Sequence, residues 1–323
     1  MSKLNNLGNS GKLHIVGGGA IGCLLAASAQ LNSVPYNCYP RSIETMPTKA
    51  LWLDGQQIAL KPPETCPIYL DKADVLVFPL KVYQLKDAIL RWRPYLTQKK
   101  PTIVLLHNGM GGLEVAHELL GHDYPLLVAT TSHGALKVAS PNGNIQVKYT
   151  GLGATQIGVP EPAEPRPQTL PALLKTTPLL ANAVALLDRA LPPVQYHPAI
   201  DEALWTKLSI NAVINPLTAI HNIQNKHIAD AEFEQTRSAI CHEFTLVANA
   251  YGFNFVEDEV HADVLCVATA TGENYSSMHQ DVSHGRQTEI DAINGYLVDK
   301  AKKKGIHVPV NTLLVERVQA LKL

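Results

Sequence analysis

The fold is decided by one stretch near the N-terminus, Leu13-His14-Ile15-Val16-Gly17-Gly18-Gly19-Ala20-Ile21-Gly22. Its first four residues form a short, largely apolar run that predicts a strand, and the alanine- and leucine-rich residues 20–30 predict a helix. The glycines between them permit a tight turn and let a pyrophosphate approach the helix N-terminus. We interpret this turn as dinucleotide-binding, against the alternative of a flexible glycine turn. Its candidate cofactor contacts are Gly17, Gly18, Gly19, Ala20, Ile21 and Gly22.

The alternation of strand and helix continues through the N-terminal half of the chain. We predict further strands at residues 36–39, 74–78, 102–106 and 126–129, and a helix at residues 83–92. Continuous apolar strands separated by helices are typical of a parallel sheet covered on both faces. After these elements we predict a hairpin from residues 144–149 and 155–159, then helical structure over residues 173–191.

The pattern changes after Pro198, where helix signals dominate to the C-terminus. We therefore predict a flexible tail over residues 1–11 and an α/β Rossmann-type dinucleotide-binding domain over residues 12–198. Residues 199–323 are predicted to form an all-α domain that binds substrate and carries the catalytic group.

Composition limits the kinds of partner. The formal net charge is −1, so no overall basic field attracts nucleic acid, and no apolar stretch is long enough to span a membrane. The five cysteines are odd in number and widely spaced, which indicates free thiols in a reducing compartment, and we expect the cytoplasm. The 13 histidines lack metal-ligand spacing, so we expect no metal site.

Arg41 lies 19 positions after Gly22, at the predicted end of the second strand. NAD-binding proteins usually carry an acidic residue there for the ribose 2′-hydroxyl, whereas a guanidinium suits the 2′-phosphate of NADP. Arg41 therefore favours NADPH and NADP⁺ as the cofactor. The alternative is that Arg41 is a solvated loop charge and that Glu44 binds the ribose.

Lys81 and Asn108 follow two other predicted strands, at the carboxyl edge of the sheet where ligands bind in such folds. Asn108 could face the nicotinamide there. The alternatives are an ordinary surface lysine and a simple Asn-Gly turn.

Lys207, Asn211 and Asn215 are spaced by four positions in an otherwise apolar segment, so they share one face of a predicted helix. Such polar groups are costly to bury unless each finds a partner. A lysine can stabilise the negative charge that hydride transfer builds on a ketone oxygen and can supply the proton. Carboxamides can orient the rest of a small oxoacid. The alternative for Lys207 is a surface lysine with a buried stem.

Together these residues resemble the 2-dehydropantoate 2-reductase, or ketopantoate reductase, family almost from end to end. The resemblance extends through Leu80-Lys81, His107-Asn108-Gly109-Met110-Gly111, Asn215-Pro216-Leu217-Thr218-Ala219, Glu273-Asn274, Ser276-Ser277-Met278 and Thr288-Glu289-Ile290-Asp291. It implies NADPH-dependent reduction of ketopantoate to (R)-pantoate, on the way to pantothenate and coenzyme A. It also implies that the active site lies in the cleft between the two domains.

The resemblance implies a role for each matching residue. Lys207 would be the catalytic proton donor. The implied substrate contacts are Asn108, Asn211, Asn215, Asn225, Asn274 and Ser277. The implied cofactor contacts beyond the glycine turn are Arg41, Lys81, Asn108, Ala135 and Glu289. Glu289 could instead pair with Lys207 or be a solvated helix carboxylate.

Two other functions remain open on these residues. One is a different NADP-dependent 2-oxoacid reductase of the same architecture, and the other is a non-catalytic NADP-binding sensor. In each case we expect a small-molecule ligand, no nucleic-acid or membrane partner, and a monomer or homodimer.

Overall fold

A computed structural model of the chain describes residues 11–66, 69–139, 144–160 and 166–321, without the side chains of Thr97 and Gln98. Except for Gly11, the tail predicted over residues 1–11 lies outside the described residues. The chain divides into two compact units. Unit 1 comprises Met1–His107 and Gly112–Asp201, and unit 2 comprises Asn108–Gly111 and Glu202–Leu323.

Unit 1 is built on a seven-stranded sheet. In spatial order its strands are β11 (Val194–Tyr196), β10 (Thr155–Gly158), β7 (Leu126–Thr131), β6 (Thr102–Leu106), β5 (Val75–Phe78), β1 (Leu13–Val16) and β2 (Tyr36–Tyr39). Every neighbouring pair is parallel except β10 with β7. The predicted parallel α/β sheet is therefore confirmed, and β10 and β11 run antiparallel to its other five strands.

Helices cover the sheet because its strands are apolar on both faces. The helices of unit 1 are α1 (Ala20–Leu31), α2 (Val82–Lys99), α3 (Gly112–Leu120), α4 (Leu170–Thr176) and α5 (Pro178–Ala190). Leu13 and Ile15 of β1 share one apolar cluster with residues of α1 and α5. On α2, Trp92 packs edge-on against Tyr39 of β2 at a centroid distance of 4.8 Å. Burial on both faces is what excludes the alternating polar pattern from these strands.

The predicted hairpin is wrong. Its two halves exist as β9 (Ile145–Gly151) and β10, but they belong to different sheets. A second sheet has the order β4 (Gln57–Ala59), β3 (Lys49–Leu51), β9 and β8 (Gly134–Ala139). Between β9 and β10, the Ala154 carbonyl accepts the N–H of Ser132 at 2.9 Å, which directs the chain back along β7. An alternating pattern identifies a strand but not its partner.

The helical structure predicted over residues 173–191 is confirmed, but it forms two helices, α4 and α5. The break falls at Thr177, which has φ −137° and ψ 76°. Thr177 precedes Pro178, and proline disfavours the helical conformation in the residue before it. The short strands β3, β4, β8 and β11 had no sequence prediction.

Unit 2 is helical, as predicted. Its helices are α6 (Ile200–His221), α7 (Glu234–Ala250), α8 (Glu257–Ala270), α9 (Ser277–Ser283), α10 (Asn294–Lys304) and α11 (Pro309–Gln319). Its apolar cluster includes Trp205, Val213 and Leu217 of α6 and Phe244 of α7. α6 continues past Pro216 for another turn before it ends at His221. The helix therefore presents Lys207, Asn211 and Asn215 along one side, at the spacing that the sequence predicts.

Candidate cofactor and catalytic sites

The glycine turn lies between the end of β1 and the start of α1. Gly17 has φ +129°, in the region that favours glycine, and its N–H donates to the Tyr39 carbonyl at 3.0 Å. A Cβ on Gly17 would lie 2.6 Å from Cδ2 of Leu80, just beyond the end of β5. The backbone conformation therefore favours glycine at this position, whereas the Leu80 side chain could shift to make room for a Cβ.

Gly22 and Gly19 differ in what surrounds them. A Cβ on Gly22 would lie 2.5 Å from the Gly17 carbonyl oxygen, so glycine lets α1 start directly against the turn. A Cβ on Gly19 would meet only Pro79 O, at 3.9 Å. Gly19 is the N-cap of α1 and has no side chain to cover the first N–H groups of the helix. The turn thus has room for a phosphate where the helix dipole stabilises negative charge.

The other predicted cofactor residues of unit 1 occupy three different elements. Arg41 is exposed and lies two positions after the end of β2. Lys81 is half-buried at the start of α2, where its N–H donates to Oε1 of Gln84 at 3.2 Å. Ala135 lies in β8 of the second sheet. Because β1, β2 and β5 are adjacent parallel strands, Gly17, Arg41 and Lys81 all follow carboxyl ends at one edge of the sheet.

Asn108 belongs to a short loop that packs with unit 2. The N–H of Met110 donates to the Ala292 carbonyl at 2.7 Å. A Cβ on Gly109 would lie 2.7 Å from the same carbonyl oxygen, and Gly109 has φ +74°. This contact holds the half-buried Asn108 in the same unit as Lys207 and Glu289.

Burial changes the acid–base chemistry of Lys207 on α6. Desolvation lowers the pKa of its ammonium from 10.5 to about 8, and the charge of Glu289 opposes that change. Glu289 is itself 5% exposed. A lysine with this pKa is largely protonated at neutral pH and yet can release its proton, which a general acid requires.

Two of the predicted substrate residues after α6, Asn225 and Asn274, are joined by a hydrogen bond. Asn225 is buried; its N–H donates to the Asn274 carbonyl at 2.9 Å, and its Nδ2 donates to Oγ1 of Thr271 at 2.9 Å. Among the described residues, the Oδ1 atom of Asn225 has no hydrogen-bond partner. The side chains of Asn274 and Ser277 are exposed.

Sequence reasoning missed two hydroxyls that connect α6 with α9. Thr218 donates to Oγ of Ser276 at 2.6 Å, and Ser276 caps α9 by accepting the N–H of His279 at 3.1 Å. Ser277, a predicted substrate residue, is the first residue of the helix that this cap starts. The signal was a Ser-Ser pair before a helix, since serine is a preferred N-cap.

A cavity of about 340 Å³ lies elsewhere in unit 1. Its walls include His14, Tyr39 and Asp74, which bond to one another: His14 contacts the Tyr39 hydroxyl at 3.0 Å and Asp74 at 3.2 Å. None of the predicted site residues lines this cavity. Within the part of the chain that the structure covers, no helix meets the length and hydropathy of a membrane span, and no three side chains are grouped as metal ligands.

An open, mostly parallel sheet with this glycine turn, together with a lysine of lowered pKa, defines the class of dinucleotide-dependent oxidoreductases. The family model described as "Ketopantoate reductase PanE/ApbA" matches residues 13–162, and the one described as "Ketopantoate reductase PanE/ApbA C terminal" matches residues 199–322. The chain belongs to the ketopantoate reductase family.

Individual relatives agree with the family models. The 2-dehydropantoate 2-reductase of Vibrio cholerae serotype O1 is 37% identical over 315 residues, which cover 95% of this chain and 96% of the relative. The crystal structure of a probable 2-dehydropantoate 2-reductase from Bacillus subtilis has a TM-score of 0.72 and 27% identity, covering 96% of this chain and all of that one (100%). A D-mandelate dehydrogenase with NADH and anilino(oxo)acetate shares the fold, with a TM-score of 0.81, 21% identity and coverage of 96% and 97%.

Proposed function

We propose that this protein reduces 2-dehydropantoate (ketopantoate) to (R)-pantoate with NADPH as the cofactor. Membership of the ketopantoate reductase family supports the reductase activity. The observation that carries the mechanism is the pKa of Lys207, lowered to about 8 by burial on the helix that also carries Asn211 and Asn215. A sensor that only binds a dinucleotide would have no use for such a proton donor.

The cofactor site is proposed to use backbone and cationic groups. N–H groups of Gly17–Gly22 and the N-terminus of α1 would hold the pyrophosphate. Arg41 would bind the 2′-phosphate through charge-assisted hydrogen bonds, and Lys81 lies at the same sheet edge. Ala135, Asn108 and Glu289 are the remaining proposed cofactor contacts. When bound, the nicotinamide supplies the hydride.

Lys207 is proposed to act on the ketone oxygen. Its ammonium stabilises the negative charge that develops there and then gives up its proton to the new alkoxide. The proposed substrate contacts are Asn108, Asn211, Asn215, Asn225, Asn274 and Ser277. Amide N–H groups in this set can bind the substrate carboxylate and hydroxyl, which fixes the carbonyl for attack. That the cofactor residues and Lys207 act on one substrate is part of this proposal.

The test is an assay of NADPH oxidation with ketopantoate and, in parallel, with 2-oxoacids that lack the hydroxymethyl group. We expect turnover with ketopantoate, and a much lower kcat/KM with the shorter oxoacids. Turnover of another 2-oxoacid without turnover of ketopantoate would support a different reductase of this architecture. NADPH binding without turnover of any oxoacid would support the alternative of a non-catalytic NADP-binding sensor.

A further inference from the structure

Pro216 leaves a gap in the hydrogen-bond ladder of α6. In a regular helix, the N–H of residue 216 would donate to the carbonyl of Ala212. Proline has no N–H, so this carbonyl loses its helical donor. Ala212 is 0% exposed, so water is not at hand to replace that donor. A buried carbonyl without a donor destabilises a fold, and another group must therefore serve it.

The replacement donor is the side chain of Asn294. Its Nδ2 atom lies 2.9 Å from the Ala212 carbonyl oxygen, although the two residues are 82 positions apart in the chain. Asn294 is the first residue of α10 and is 0% exposed. The amide therefore completes the ladder of α6 from a different helix.

Neighbouring groups determine which way this amide faces. Nδ2 of Asn294 also donates to Oδ1 of Asn311 at 2.9 Å, and Nδ2 of Asn311 donates to Oε2 of Glu243 at 2.7 Å. The Glu243 carboxylate also accepts the N–H groups of Val310 and Asn311, at 2.8 and 2.9 Å. An acceptor stands at each end of this series, the carboxylate and the Ala212 carbonyl. Only one orientation of the two amides satisfies both ends.

The remaining oxygen of Asn294 shows what that orientation costs. Among the described residues, its Oδ1 atom has no hydrogen-bond partner. The reversed amide would set this oxygen against two acceptors, the Ala212 carbonyl and Oδ1 of Asn311, which is worse. The position of Asn294 is therefore organised around donation to those two atoms.

We propose that Asn294 is a positioning residue for the reaction: by holding the Ala212 carbonyl, it fixes the direction in which Asn211 and Asn215 project from α6. Ala212 directly follows Asn211, and the gap in the ladder closes just beyond Asn215. This inference rests on the proposed function, because it assigns those two carboxamides to the substrate. Without the bond, the segment that carries them is free to shift.

A double-mutant cycle with Pro216 tests this role. Pro216→Ala gives residue 216 an N–H that can reach the Ala212 carbonyl, which makes Asn294 dispensable for that task. Alone it should change the KM for ketopantoate by less than about twofold. Asn294→Ala should raise that KM by about tenfold, with a smaller change in kcat and no change in NADPH affinity. In the Pro216→Ala background, the same substitution should raise KM by less than about twofold.

Two outcomes would overturn the proposal. An equal rise in KM in both backgrounds would mean that Asn294 does not act through the Ala212 carbonyl. A lower melting temperature with unchanged KM would mean that it only supports the fold. Asn294→Leu is the matched variant of similar size and shape, and it should raise KM at least as much because its side chain has no donor. If Asn294→Ala does not fold alone, folding and near-normal KM of the double variant support the proposal, and failure of the double variant to fold overturns it.

Failure of the proposed function gives a different result from failure of the inference about Asn294. Wild-type protein that turns over a different 2-oxoacid overturns the substrate assignment alone, and the cycle is then measured with that oxoacid. Absence of turnover with every oxoacid overturns both proposals.

Discussion

The glycine turn of unit 1 and helix α6 of unit 2 build binding sites in opposite ways. At Gly17 and Gly22 the site depends on missing side chains, because Gly17 has φ +129° and a Cβ on Gly22 would lie 2.5 Å from the Gly17 carbonyl oxygen. On α6 the site depends on side chains that an apolar helix would normally exclude, and burial lowers the pKa of Lys207 to about 8. The glycine pattern of the turn is local in the sequence, although Gly17 also bonds to Tyr39 of β2, whereas α6 takes a hydrogen bond from Asn294, 82 residues further along. A local sequence pattern thus identifies both sites, but the burial that changes the pKa of Lys207 depends on the tertiary structure.

The largest effect should come from the side-chain site. Lys207→Ala removes the proton donor, so kcat for ketopantoate reduction should fall by about 10²–10⁴-fold, while NADPH still binds. Steady-state kinetics and fluorescence titration with NADPH measure the two quantities. Lys303→Ala, which removes an exposed lysine of α10, is the matched control and should keep full activity. A Lys207→Ala protein that retained most of its kcat would remove Lys207 from the mechanism.

Arg41→Ala tests the cationic residue that follows β2. Loss of charge-assisted hydrogen bonds to the 2′-phosphate should weaken NADPH binding by about 10- to 100-fold and leave NADH binding nearly unchanged. Binding constants for both cofactors provide the comparison. Glu44→Ala tests the alternative. If Glu44 binds the ribose, its loss should weaken the binding of NADH as well as that of NADPH. Equal losses for both cofactors in Arg41→Ala would show that Arg41 does not recognise the phosphate.

Two glycine substitutions divide the turn into a packing position and a binding position. Gly22→Ala places a Cβ 2.5 Å from Gly17 O, and the overpacking should lower the free energy of unfolding by about 1–3 kcal/mol. Gly19→Ala meets only Pro79 O at 3.9 Å, so stability should hold while the methyl group hinders the pyrophosphate and weakens NADPH. Gly151→Ala, with nothing within 4 Å of the new Cβ, is the control for both. Chemical denaturation and NADPH titration would show whether the two effects separate.

The smallest predicted effect is the shift of the pH profile that a change at Glu289 should cause. Lys207 must be protonated to act, and burial lowers its pKa to about 8. The kcat/KM for reduction should therefore be level below about pH 8 and fall about tenfold per pH unit above it. Glu289 raises this pKa, so Glu289→Gln should move the fall to lower pH. A fall that stayed in place in Lys207→Ala protein would belong to another group.

Sequence patterns were sufficient where neighbours along the chain determine structure. The strand and helix around Gly17–Gly22 formed as predicted, and so did the helical C-terminal region with Lys207, Asn211 and Asn215 on one helix. The hairpin over residues 144–159 failed because β9 and β10 pair with strands that are distant in the sequence. Pairing between distant strands leaves no local mark, since side-chain alternation is the same whichever partner a strand has.

The sequence by itself determined the mostly parallel sheet, the glycine turn and the four-residue spacing on α6, since each follows from local conformational preference and apolar periodicity. Only the tertiary structure decided how those residues behave. Burial lowers the pKa of Lys207, and the negative charge of Glu289 partly offsets that decrease. The carbonyl that Pro216 leaves without a helical donor is held by Asn294. Desolvation and hydrogen bonding depend on which groups meet in space, and the folded chain brings these groups together from α6, α10 and the segment before it.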